Sequence, residues 1–295
     1  MLLRVFYTLF SFFLTSIYDI IKNVQEESGW VKMGRIISLV NQKGGVGKTT
    51  VSINLSAALG KLGKRTLLVD LDPQGNTSTG LGVNKSDING KSTYECLIGK
   101  TDPKDAIIKT RFTNLYVLPA TINLAGIDYE FREKGDTDPT FKYNEQLKKI
   151  LDEVKKGYDY IIVDCPPQLG MLTINALVAS DSLIIPVQCE FFALEGITQL
   201  LNTVIMTQKN LNPKLQIEGV LLTMLDSRTN LGMEVVEEVR KFFGDKTFDT
   251  IIPRLIRLVE APSHGEPINV YDPDNRATVA FHNLAKEVVT RDERK

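Results

Sequence analysis

Lys43-Gly44-Gly45-Val46-Gly47-Lys48-Thr49-Thr50 decides how the rest of this chain is read, because a glycine-rich loop ending in Gly-Lys-Thr is a cradle for phosphates. In such a loop the backbone N–H groups wrap phosphate oxygens, Lys48 reaches the outer two phosphates and the Thr49 hydroxyl is a magnesium ligand. The spacing departs from the usual G-x-x-x-x-G-K-[ST]. Gln42 stands where the first glycine belongs, Gly44 and Gly45 fall inside the variable stretch, and an additional lysine, Lys43, opens the loop. Glycine-rich loops with a lysine also occur as plain turns, so the flanks decide. Residues 35–40 (RIISLV) are a short apolar run of strand type, while residues 49–62 carry Ile53, Ala57 and Ala58 at helical spacing and stop at Gly63. The loop therefore delivers phosphates to a helix N-terminus, where unpaired N–H groups and the helix dipole attract anions.

Two acidic motifs sit where such a site needs them. Residues 65–69 (RTLLV) run into Asp70-Leu71-Asp72-Pro73-Gln74-Gly75-Asn76, and residues 160–163 (YIIV) run into Asp164-Cys165-Pro166-Pro167. Continuous apolar runs read as central parallel strands, and open α/β sheets bind ligands beyond the carboxyl ends of those strands. Taken singly, an aspartate at a strand end is an ordinary turn or cap residue. Three of them beside a phosphate loop form a set: Asp164 suits magnesium held through a water, with Asp70 beside it, and Asp70 and Asp72 open a switch segment. Further strands are expected at 181–187, 217–224 and 248–252, alternating with helices at 194–209 and 233–243. This predicts an α/β fold, a single P-loop NTPase domain with a mainly parallel central sheet and helices on both faces. A switch and variable region at 76–145 is turn-rich at 80–82 and 135–139.

With these motifs in hand, the chain resembles the ParA/Soj family of chromosome- or plasmid-partitioning ATPases, whose loop is called a deviant Walker A. The likeness runs from about residue 33 to about 289, through KGGVGKTT (43–50), LVDLDPQGN (68–76), YDYIIVDCPP (158–167), IPVQCE (185–190), LTMLDSRTNL (222–231), IIPR (251–254) and EAPSHG (260–265). The resemblance implies ATP and Mg²⁺ as cofactors, an ATP-bound homodimer, non-specific DNA and a ParB-type protein as partners, and a cytoplasmic, nucleoid-associated location. Position by position, it makes Lys43 the signature lysine that crosses to the partner's nucleotide, Gly44 the glycine at the dimer face, Lys48 the loop lysine and Asp72 the aspartate needed for hydrolysis. Lys43, Lys48 and Asp72 are then the catalytic set, and Lys43, Gly44, Gly45, Val46, Gly47, Lys48, Thr49, Thr50 and Pro253 bind ATP. Thr49 is the direct magnesium ligand, and Arg228 and Arg257 bind DNA. Gln168 departs from the family, which usually has serine after the two prolines.

Composition agrees. A chain of 295 residues, 43% hydrophobic, fills one large α/β domain. Cys96, Cys165 and Cys189 have no ligand spacing and read as buried reduced thiols; His264 and His282 are isolated and carry no assigned chemistry. Residues 1–32 form an apolar extension, 33–290 the ATPase domain and 291–295 a charged tail. The uncharged run at 5–18 is short for a membrane span of about 20 residues and lacks a small-x-small cleavage site. The preferred reading is an upstream start codon assigned in error, Met33 being the family-like start; membrane anchoring is the alternative.

Net charge is −1, so the chain is not a globally basic nucleic-acid binder. Between 226 and 257, Arg228, Arg240, Lys241, Lys246, Arg254 and Arg257 are matched by Asp226, Glu234, Glu237, Glu238, Asp245 and Asp249, which by itself reads as a solvated face. Only the resemblance lifts Arg228 and Arg257 out of it. Two other classes in the same superfamily remain: a MinD-like membrane-associated switch, which needs an amphipathic C-terminal helix that 284–295 lacks, and an iron–sulfur carrier, which needs paired cysteines.

Overall fold

A computed structural model describes residues 34–190 and 197–294. The extension at 1–32, Met33 and the start of the helix expected at 194–209 lie outside the described residues. The strands are β1 (Arg35–Leu39), β2 (Thr66–Asp70), β3 (Ile108–Lys109), β4 (Leu115–Leu118), β5 (Tyr160–Asp164), β6 (Ser182–Gln188) and β7 (Gln216–Thr223). They form one sheet in the order β3-β4-β2-β5-β1-β6-β7, parallel throughout except where β3 meets β4. The expected α/β fold with a mainly parallel sheet is what the chain adopts.

The helices used below are α1 (Lys48–Lys61), α2 (Asn76–Gly80), α3 (Ile127–Thr137), α4 (Gln146–Val154), α5 (Met171–Ala179), α6 (Ile197–Asn210), α7 (Asn230–Phe243), α8 (Ile256–Glu260) and α9 (Arg276–Glu293). Strand side chains alternate between two faces, so the continuous apolar runs feed two cores. Ile36, Leu67, Val69, Ile161 and Val163 enter one core with α3 to α7; Ile37, Leu39, Leu68 and Ile162 enter the other with α1 and α9. The spacing explains the packing. In α4 the buried residues Leu147, Ile150, Leu151 and Val154 recur on one helical stripe, and in α9 Ala277, Phe281, Leu284, Ala285 and Val288 do the same. Each large side chain so buried contributes about 1.5–3 kcal/mol.

Two expectations are corrected. Residues 248–252 are not a strand. They meet β7 only at separate points, where the N–H groups of Phe248 and Ile252 donate to the Val220 and Leu222 carbonyls at 2.9 Å each, because the N–H groups of Asp249 and Thr250 donate instead to the Glu287 carboxylate of α9 at 2.9 and 3.1 Å. The region 76–145 holds β3 and β4 as well as turns, and α3 runs through Thr137. Within the charged segment at 291–295, residues 291–293 belong to α9, which continues to Glu293. Arg291 donates to the carbonyls of Glu218 (3.1 Å) and Thr247 (2.9 Å) and to Glu287 (2.8 Å), with its guanidinium 4.2 Å from the Phe248 ring centre. Asp292 accepts from Arg35 and from the Tyr160 hydroxyl. Among the described residues no helix is long and apolar enough to cross a membrane.

Candidate nucleotide site

Residues 43–50 link the carboxyl end of β1 to α1, and the two strands on one side of β1, β6 and β7, hold the loop. The Asn41 side chain donates to the Pro186 carbonyl of β6 at 2.7 Å and accepts from the Lys43 N–H at 2.9 Å. Thr223, ending β7, donates through its hydroxyl to the Val46 carbonyl at 2.9 Å, and Val46 is itself buried. Gly45 and Gly47 have φ of +76° and +89°, a region that side chains with a Cβ rarely enter, so these two glycines allow the loop to curl. Neither a capping side chain nor an acidic residue occupies the first turn of α1. Its first N–H groups are therefore directed at whatever anion the loop encloses.

Lys48 is 7% exposed, and its Nζ donates to the Lys43 carbonyl at 3.1 Å. Burial lowers its pKa, opposed by the nearby charges of Asp164 and Asp72. Asp70 and Asp164 end adjacent strands as register partners, and both are fully buried. Burial raises Asp164, but hydroxyls from Thr77, Thr49 and Ser52 (3.0 Å) and the charge of Lys48 pull it back. Asp70 fares differently. One oxygen accepts the N–H (2.9 Å) and hydroxyl (2.7 Å) of Ser78 in α2, and the other accepts the Asp72 N–H at 3.3 Å. Burial, reinforced by the charge on Asp164, pushes Asp70 up to about 7. Asp164 is thus the carboxylate that faces the hydroxyls of Thr49, Ser52 and Thr77. The oxygens of Asp70, expected to hold magnesium through water, serve the backbone of the switch segment. Asp72 lies in the turn between, partly exposed, accepting the Gln74 N–H at 3.0 Å.

Thr49 and Asp164 supply hard oxygen donors beside a positively charged anion cradle, which fits magnesium shared with phosphates. Among the described residues no group of three or more His, Cys, Asp or Glu could hold a metal ion unaided. Cys96, Cys165 and Cys189 are all buried and free. Pro253 lines an open cleft of about 490 Å³ with Thr250, Ile251, Arg276, Val279 and Asn283. Its bridge to Leu225 ties it to Met224, whose methyl lies 3.5 Å from where a Cβ on Gly47 would stand. Met224 has φ +54°, a strained value for this residue type.

The two arginines lie outside the loop. Arg228 sits in the turn before α7, its side chain 87% exposed and paired with Asp226 at 2.7 Å. Arg257, on α8, donates to the Tyr271 hydroxyl at 3.2 Å and lies 3.6 Å from Glu260 and 3.9 Å from Asp272. Sequence reading missed Asn41, Ser52, Thr77, Ser78, Thr223 and Met224. Ser52, one helical turn beyond Thr49, is the only one whose spacing from the loop could have pointed to it.

A family model described as an AAA domain matches residues 34–217. The sporulation initiation inhibitor protein Soj of Bacillus subtilis is 58% identical over 87% of this chain and 98% of its own length. The chromosome partitioning protein ParA of Myxococcus xanthus is 46% identical over 90% of this chain and 92% of its own. Among solved structures, cobyrinic acid a,c-diamide synthase from Mycobacterium smegmatis, with bound ADP and magnesium, superposes with a TM-score of 0.75 at 33% identity. That match covers 88% of this chain and 96% of that one. A phosphate loop at the centre of a parallel sheet, a carboxylate pair at the neighbouring strand ends and near end-to-end likeness to these proteins lead to one conclusion: this chain belongs to the ParA/Soj family of chromosome-partitioning ATPases.

Proposed function

We propose that the protein is an ATP-driven dimerising switch that carries DNA cargo by binding and releasing non-specific DNA, with ATP and Mg²⁺ as its ligands. The observation that carries this reading is the uncapped N-terminus of α1 framed by Lys48, Asp164 and Asp72. The N–H groups of residues 44–49 wrap the phosphates, Lys48 leaves the Lys43 carbonyl for the outer phosphates, and Thr49 directly and Asp164 through a water would hold magnesium. Magnesium, when bound, neutralises charge on the phosphates. Gly44 is exposed and has open space where a Cβ would stand, which leaves room for a second protomer's backbone. Lys43 reaches across that face to the other subunit's nucleotide. Asp72 orients water for attack on the outer phosphate, and hydrolysis opens the dimer. Arg228 and Arg257, doubled in the dimer, contact DNA phosphates, and a ParB-type partner accelerates release. The protein then works in the cytoplasm on the nucleoid.

A membrane-associated switch is disfavoured because α9 already commits its apolar face to the core, and an iron–sulfur carrier because the three cysteines are buried. The test is ATP hydrolysis and DNA retention by the purified protein with and without a ParB-type partner. DNA retention that requires ATP, with turnover raised by DNA and partner together, is expected. ATP-independent DNA binding, or turnover indifferent to both, would overturn the reading.

A further inference from the structure

We infer that Asp226 sets the DNA affinity of the proposed switch by occupying Arg228, so that DNA phosphates must displace a carboxylate already bound there. The inference rests on the DNA-binding reading above. Arg228 engages Asp226 through both ends of its guanidinium: Nε donates to Oδ1 at 2.9 Å and Nη2 to Oδ2 at 2.7 Å. The Arg228 N–H also donates to Asp226 Oδ1 at 3.1 Å, so the same carboxylate shapes the turn and fills the fork. A carboxylate and a phosphate present the same pair of oxygens to a guanidinium, and the fork takes one or the other. The pair holds Asp226 down to about 2, so it remains charged at any physiological pH.

Arg257 is also paired with carboxylates, but more loosely, at 3.6 and 3.9 Å. It lies against Glu260 and Asp272 and donates to Tyr271, on a surface where Ile256 and Val259 are exposed. Both arginines assigned to DNA are therefore engaged with carboxylates of their own chain, on turns that the fold places after β7 and in α8. An exposed ion pair shifts an equilibrium by a factor of about 1.4 to 5. Two copies in a dimer multiply to about two- to thirtyfold.

The test is Asp226→Asn, because asparagine keeps an oxygen for the Arg228 N–H and removes the charge and one of the two acceptors that fill the guanidinium fork. ATP-dependent binding of a random-sequence duplex is measured by fluorescence anisotropy at several salt concentrations, beside the melting temperature. Tighter binding by about two- to thirtyfold is expected, with the gain largely abolished in an Arg228→Ala background. An unchanged or weaker affinity with a normal melting temperature overturns the inference, as does an equal gain when Arg228 is absent. Glu260→Gln supplies a second trial should Asp226→Asn melt early: it should tighten binding through Arg257, and no gain there overturns the general form of the argument. Failure of the underlying reading looks different, since wild-type protein would then retain no DNA in ATP.

Discussion

Replacing Asp70 by asparagine tests whether the two buried carboxylates share one negative charge. The ordinary aspartate value is 3.8, and in the fold Asp70 is pushed to about 7 by burial and by the charge of Asp164. The folded protein thus holds this proton more tightly than the unfolded chain, and unfolding releases it between about pH 4 and pH 7. The sign follows: the stability is fully present below about pH 4 and is lost as pH rises through 7. Three units correspond to about 4 kcal/mol over the whole range, of which about 2 kcal/mol falls between pH 5.5 and 8. Asparagine has no such proton, while its carbonyl still accepts from Ser78 and only the 3.3 Å contact from the Asp72 N–H is lost. Urea unfolding of nucleotide-free, magnesium-free protein at pH 5.5, 7 and 8 is the assay. Wild type should lose about 2 kcal/mol more than Asp70→Asn across that interval. Curves that run parallel within about 0.5 kcal/mol would refute the shared-charge argument.

Other perturbations separate fold from function. Gly44→Val meets nothing within 4 Å and needs no positive φ, so stability should change by less than about 0.5 kcal/mol while light scattering shows no ATP-dependent dimer; dimers at wild-type protein concentration would displace Gly44 from the interface. Asp72→Ala should cut hydrolysis by about 100-fold or more and slow DNA release in ATP. Faster release with a lowered melting temperature would reduce Asp72 to a turn residue. Arg291→Ala deletes three charge-assisted bonds from a side chain only 19% exposed, so urea unfolding should show a loss of about 2–4 kcal/mol with ATP affinity kept. A loss below about 0.5 kcal/mol would mean that α9 is held by its apolar stripe alone.

The phosphate loop and the strand-end aspartates were legible because their residue types are constrained: only glycine takes the φ of Gly45 and Gly47 without strain, and only buried strands read as unbroken apolar runs. What supports them was not. Ser52 and Thr77 are common polar residues, and nothing local marks which hydroxyl faces a carboxylate 112 or 87 positions away. The strand β3 is two residues long and leaves no periodicity to detect. The apolar run at 248–252 looked like a strand, but its backbone is partly claimed by Glu287, a contact spanning 38 and 37 residues. Likewise the run Arg291-Asp292-Glu293-Arg294 reads as solvated, because its partners Arg35 and Tyr160 are remote in the chain.

Buried charge at the two ends of the sheet shows why burial alone does not mark a functional site. At the amino ends of β1, β5 and β7, Arg35 bonds Glu218 and Asp292, Ser182 accepts from Arg35, and Tyr160 donates to Asp292. That cluster also holds two carboxylates to one cation, but the Arg35 guanidinium bonds both of them directly, so neither charge is left without a partner. At the carboxyl ends, two fully buried carboxylates face one buried lysine whose Nζ donates to a backbone carbonyl. Hydroxyls soften the imbalance without cancelling it, and Asp70 is driven to bind a proton. A divalent cation would lie between Asp164 and the phosphates of a bound nucleotide, and those phosphates would accept from Lys48 and the first N–H groups of α1. The end of the sheet whose cation bonds both of its carboxylates is scaffold, and the end whose lysine donates to a backbone carbonyl instead is where ligand chemistry fits.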